Sequence, residues 1–105
     1  MQFDYSYDLP DEEVRPRLEA LGEYLHNRHG IRITWQGENK ASFSGRYLVV
    51  KIDGTLTYGD KTINFNGQDP GVLWRKKAIK YMQGKLADYL DPATPVDQLP
   101  RASKT

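Results

Sequence analysis

His26 and His29 stand three residues apart, a spacing that brings two imidazoles within reach of one metal ion near the end of a helix. The chain has no cysteine, and no carboxylate pair lies nearby to complete a donor set. Histidine near a helix C-terminus also meets the negative end of the dipole, and that structural role is the one expected here. Asp11, Glu12 and Glu13 form a second cluster with chemical potential. Three successive acids suggest proton transfer, yet the first turn of a helix favours acids for the same electrostatic reason. Seven tyrosines supply hydroxyls, among them Tyr5, Tyr7, Tyr24 and Tyr89, but no base or oxyanion donors can be placed beside them. The glycines sit at turns and form no phosphate-cradling loop. The expectation is a protein that is not an enzyme, with no metal and no cofactor.

The strongest feature outside the core is a basic stretch near the C-terminus. Arg75, Lys76, Lys77, Lys80 and Lys85 face a single acid, Asp88, between Gly71 and Leu90. On a helical wheel Lys76, Lys77 and Lys80 share the outer face with Leu73, and Trp74 lies at the flank. Leu73, Trp74, Lys76, Lys77 and Lys80 are therefore the candidate surface site, suited to phosphate or an anionic surface. The competing reading is a solvated face balanced by Glu12, Glu13, Glu19 and Glu23 of the first helix. A net charge of +1 favours that balance and ranks nucleic acid behind other partners. Arg75 points instead toward the apolar side, where it should run along Trp74 or meet a carboxylate at the sheet end.

The elements that position these residues follow from periodicity. A first helix is predicted from about Pro10 to His29, with Val14, Leu18, Leu21 and Leu25 as its apolar stripe. Pro16 should kink its first turn, or the regular helix should begin just before it. Gly30 followed by Ile31 reads as a left-handed cap. A second helix is predicted from Asp69-Pro70 to Leu90, with Asp69 as N-cap and Val72, Ile79, Met82, Leu86 and Leu90 facing the core.

Between the helices, Ile31, Ile33 and Trp35 alternate with polar residues. A three-residue loop Gly37-Glu38-Asn39 then matches Trp35 to Ala41 and Ile33 to Phe43. From Leu48 to Tyr58 the apolar residues Leu48, Val50, Ile52, Leu56 and Tyr58 keep even parity, which describes one continuous strand. That parity overrides the hairpin signal of Asp53-Gly54 and makes Gly54 a bulge or bend. Turns are expected at Ser44-Gly45 or Gly45-Arg46, and at Gly59-Asp60 with Leu56 opposite Ile63. Phe3, Tyr5 and Tyr7 mark a short first strand, preferred at the far edge beside the last strand. The order β-α-β-β-β-β-α gives an α+β two-layer sandwich, a mostly antiparallel sheet with both helices on one face.

With 105 residues, 28% charged and 38% hydrophobic, the chain is expected to form one domain over residues 1–91 and a flexible tail over 92–105. It holds no apolar run of about 18 residues, so no membrane span is expected. The start is not of signal-peptide type and cysteine is absent, which points to the cytoplasm.

The segments RHGIRITWQGEN, FSGRYLVVKIDGTLTY and PGVLWRKKAIKYMQGKLADYL resemble the small bacterial family of polyhydroxyalkanoic acid system proteins, over about Phe3 to Asp91. The shared pattern is an acidic helix ending at glycine, a strand Trp with a Gly-acidic turn, a glycine-punctuated strand pair and a C-terminal amphipathic helix. His29 stands where an aromatic is usual, and Gly67-Gln68-Asp69-Pro70 replaces a leucine-rich lead-in. The resemblance implies a small cytoplasmic bacterial protein associated with polyester storage granules, and it carries over no catalytic residue. The expected role is a non-catalytic accessory or binding module. It would use the groove between sheet and last helix, or an exposed helix face, for a hydrophobic ligand, a granule surface or a protein partner. Anionic-polymer binding through the basic helix is the alternative. A cavity left between Trp35, Phe43, Phe65 and the last helix would favour a ligand.

Overall fold

The computed structural model describes residues 1–47 and 50–101. Its strands are β1 (Gln2–Ser6), β2 (Arg32–Trp35), β3 (Lys40–Tyr47), β4 (Val50–Gly59) and β5 (Thr62–Gly67). Its helices are α1 (Val14–His29), preceded by a 3-10 turn at Asp11–Glu13, and α2 (Val72–Tyr89), followed by another at Val96–Gln98. The strands form one sheet in the order β1-β5-β4-β3-β2, with every neighbouring pair antiparallel. β1 therefore closes the far edge beside β5, as preferred from sequence. The architecture is the expected α+β sandwich.

α1 begins just before Pro16, which falls in the first turn, where its missing N–H breaks no intrahelical bond. The helix ends as expected. Gly30 is left-handed (φ 73°), and its N–H bonds to the His26 carbonyl while Ile31 N–H bonds to that of Leu25. Val14, Leu18, Leu21 and Leu25 are all buried.

The β2–β3 hairpin has the anticipated register, Trp35 opposite Ala41 and Ile33 opposite Phe43. Arg15 clamps it from α1. Its guanidinium lies 3.9 Å from the Trp35 ring centroid and donates to the Gly37 and Glu38 carbonyls at 3.0 and 2.9 Å. Continuity of β4 through Asp53-Gly54 is as the parity required, and Leu56 is buried. The turn expected at Ser44-Gly45 or Gly45-Arg46 does not form. β3 instead continues to Tyr47, pairing Gly45 with Ile52 and Tyr47 with Val50. Two residues along, Phe43 faces Gly54 and Gly54 faces Gly67. Gly54 is no bulge. A Cβ there would lie 2.9 Å from the Phe65 ring, so the bare backbone gives that ring room to reach Phe43, 5.8 Å away edge-to-face. Leu48 and Val49, assigned to opposite faces from sequence, lie outside the described residues, and so does the Val50 side chain.

The β4–β5 turn also moves. Asp60 and Lys61 occupy it with φ of 52° and 66°, so Leu56 pairs with Phe65 and Tyr58 with Ile63, two residues from the expected register. Two positive φ values define a mirror-image turn that matches strand twist, and Asp tolerates that region. Asp11 secures it from a distance, accepting from the Asp60 and Lys61 N–H groups at 3.2 and 3.4 Å and from the Tyr7 hydroxyl at 2.5 Å.

α2 departs most from expectation. Its cap residue is Gly71, not Asp69; the Asp69 carboxylate bonds the Gly71 N–H and pairs with Arg75. Arg75 thus meets a carboxylate, on an exposed surface. Leu86, Tyr89 and Leu90 are buried, while Ile79 and Met82 are only half-buried. Val72, placed in the core stripe from sequence, is 81% exposed. The helix packs through its C-terminal half only. The buried Arg17 of α1 fastens that half, with Nη1 donating to the Tyr89 carbonyl at 3.1 Å and the Asp91 carbonyl at 2.9 Å.

Of the segment expected as a flexible tail, the described part, 92–101, docks on the domain. Leu99 is buried, Tyr89 donates its hydroxyl to the Pro100 carbonyl, and Arg101 pairs with Glu23 at 2.5 Å. Among the described residues no helix is long and apolar enough to cross a membrane.

Candidate functional site

Because α2 packs tightly only toward its C-terminal end, its other half bridges a cleft over the sheet. The cleft has a volume of about 310 Å³. Phe43, Ile52 and Phe65 of the sheet form its floor, Leu25 and Ile31 close the side toward α1, and Met82 and Trp74 come from α2. This is the cavity the sequence left as the deciding question, with one change. Trp35 is not part of it; around Trp35 the remaining hollow is about 10 Å³, at the lower limit for a single water.

The α2 wall is a stripe of its own. Trp74, Lys77, Ala78, Tyr81 and Met82 recur at i, i+3, i+4, i+7 and i+8, the spacing of one helix face. Ala78 sits mid-stripe, and its small side chain keeps the space open. The same spacing is present in the sequence, beside the Val72-Ile79-Met82-Leu86 set that periodicity assigns to the core. Of the five candidate surface residues, the structure brings Trp74 and Lys77 to the cleft, with the Lys77 ammonium 5.5 Å from the Trp74 ring centroid. Leu73, 84% exposed, and the exposed Lys76 and Lys80 do not line it.

Polar side chains line the cleft as well, among them Gln68, Lys77, His29 and Tyr81. His29 Nε2 lies 3.1 Å from the Tyr81 hydroxyl, and both line the cleft. Burial, with Arg28 and Lys85 nearby, holds the His29 pKa below the usual imidazole value, which favours the neutral ring at neutral pH. Lys85 stands over Tyr24 and Tyr81, 4.2 and 5.7 Å from their ring centroids. His26 is exposed, and among the described residues no three His, Cys, Asp or Glu side chains gather as a metal site. Asp11, Glu12 and Glu13 lie in the 3-10 turn ahead of α1, where Asp11 holds the β4–β5 turn. Hydrogen bonds from Tyr7 and from the turn N–H groups keep the Asp11 carboxyl below its ordinary pKa.

The lining is mostly aliphatic and aromatic carbon, with His29, Lys51, Asp53, Gln68, Lys77 and Tyr81 as its polar residues. No curated protein and no solved structure matches the chain. A family model described as "Putative polyhydroxyalkanoic acid system protein (PHA_gran_rgn)" matches residues 1–93, which takes in the whole sheet, both helices and every residue lining the cleft. The chain belongs to the polyhydroxyalkanoic acid system protein family.

Proposed function

We propose that this protein is a non-catalytic accessory module of the polyhydroxyalkanoate system, acting in the bacterial cytoplasm at the storage granule, and that its cleft takes a hydrophobic ligand. The observation that carries this reading is the cleft itself. A volume of about 310 Å³ between α2 and the sheet is larger than close packing of a small domain leaves by chance, and it falls at the lower end of ligand pockets. Family membership supplies the setting. Val72 and Leu73, exposed on the half of α2 that bridges the cleft, would turn an apolar fringe toward a granule surface.

The test is a fluorescent reporter of apolar sites, such as anilinonaphthalene sulfonate, titrated into the native protein and into Ala78→Phe. The phenyl ring would occupy the space that Ala78 leaves. Saturable one-site binding in the native protein, lost in the variant at unchanged circular dichroism, is the expected result. Equal binding by both proteins would refute the cleft as the site.

One observation favours the anionic-polymer reading as a second. Two acids of α1 are engaged elsewhere, Glu19 with Arg15 and Glu23 with Arg101. Among the described residues no carboxylate pairs with Lys76, Lys77 or Lys80. Reversing these three charges should leave the fold intact. If the polymer reading holds, it also abolishes DNA binding whose log affinity falls linearly with log salt. Absence of such binding in the native protein would dispose of it.

A further inference from the structure

Resting on that ligand-binding reading, we infer that the cleft is built for an amphipathic monocarboxylic acid, its hydrocarbon tail over Phe43 and Phe65 and its carboxylate at Lys77. Size sets the tail. A cleft of about 310 Å³ lies at the lower end of ligand pockets, which suits a hydrocarbon tail of medium length. Burying a hydroxyl or amide against the floor and sides of Phe43, Phe65, Leu25 and Ile31 would leave it without a partner, which excludes a polar body.

Charge sets the head. Lys51 and Asp53 also border the cleft, but they alternate with the inward-facing Ile52, so their charged ends turn to the other sheet face. Lys85 is engaged over two tyrosine rings and does not line the cleft. Met1 also lines the cleft, but its α-ammonium already donates to the Gly67 carbonyl at 2.8 Å. Lys77, beside the Trp74 ring, is the side-chain cation that lines the cleft from α2. His29 and the Tyr81 hydroxyl add neutral polar contacts there. One ammonium matches a monoanion; a phosphate dianion would need further donors.

Calorimetric titration with hexanoate, octanoate, decanoate, octanol and octyl phosphate tests this on the full chain. Affinity should rise about fourfold per methylene from hexanoate to octanoate. Octanoate should bind about tenfold more tightly than octanol. Lys77→Gln should erase that preference and leave octanol unaffected, Lys40→Gln should change nothing, and Ala78→Phe should abolish binding of all five. Octanol binding as tightly as octanoate, octyl phosphate binding more tightly than octanoate, or a preference that survives Lys77→Gln would overturn the carboxylate assignment while leaving the hydrophobic cleft standing. If none of the five binds, the ligand-binding reading falls with it.

Discussion

Replacing Arg17 by methionine should cost this domain about 2–4 kcal/mol, because that guanidinium joins the two helices at the only end where they pack closely. The side chain is 3% exposed, and Nη1 makes both bonds, to the Tyr89 and Asp91 carbonyls at 3.1 and 2.9 Å. The Tyr89 carbonyl belongs to the last turn of α2, where a helix leaves its acceptors unpaired and carries partial negative charge, and the Asp91 carbonyl lies just past the Leu90 cap. A hydrogen bond from a charged donor contributes about 1.5–3 kcal/mol, so two such bonds set a ceiling of about 3–6 kcal/mol. Methionine relieves the desolvation of the buried guanidinium, including Nε, which has no partner, and that offsets part of the loss. The remainder is about 2–4 kcal/mol, a fall in Tm of roughly 10–20 °C for a domain of this size. Urea unfolding followed by circular dichroism would measure it from the midpoint at constant m-value. A variant within about 0.5 kcal/mol of the native protein, the range of ordinary surface changes, would refute the claim that Arg17 anchors α2. Since that anchor holds α2 over the cleft, the same variant should also weaken apolar ligand binding.

Gly54→Val should destabilise by about 1–3 kcal/mol, since its Cβ would lie 2.9 Å from the Phe65 ring and 3.0 Å from the Gly67 backbone, whereas Gly59→Ala, with open space around it, should cost under about 1 kcal/mol. Denaturant midpoints of the two variants check this, and equal values would refute the close approach. Removing residues 95–105 should cost about 1.5–3 kcal/mol through exposure of Leu99's site, and a truncated chain as stable as the native one would show that the docked segment contributes nothing. Asp11 has a lowered folded-state pKa, so its contribution is present above the unfolded carboxylate pKa and is lost as pH falls through the folded value. Native protein should therefore lose more stability than Asp11→Asn on acidification below about pH 4, as read by urea midpoints across pH, and parallel profiles would contradict it.

Local signals determined a good part of this protein. The alternation of Ile33 and Trp35, with the Gly37-Glu38-Asn39 loop, specifies the β2–β3 register, because a one-residue slip would turn every apolar side chain to solvent. The even parity of Ile52, Leu56 and Tyr58 carries β4 through Asp53-Gly54, and Gly30 ends α1 because only a left-handed residue closes its last carbonyls. Trp74 was legible at a helix flank, whereas Lys77, read as outward with Lys76 and Lys80, lines the cleft.

Tertiary structure decided the rest, wherever the controlling partner lies far along the chain. Lys61 carries no turn signal, yet it takes a positive φ with Asp11, fifty residues earlier, accepting its N–H. Arg17 lies on the helix that carries the apolar stripe, and nothing local marks it as buried; its acceptors, the Tyr89 and Asp91 carbonyls, lie more than seventy positions away. Val72 fits the core period but is exposed, because only the C-terminal half of α2 reaches the core. The cleft has the same origin: periodicity says which helix face is apolar, and only packing decides whether that face is filled by the sheet or left open over it.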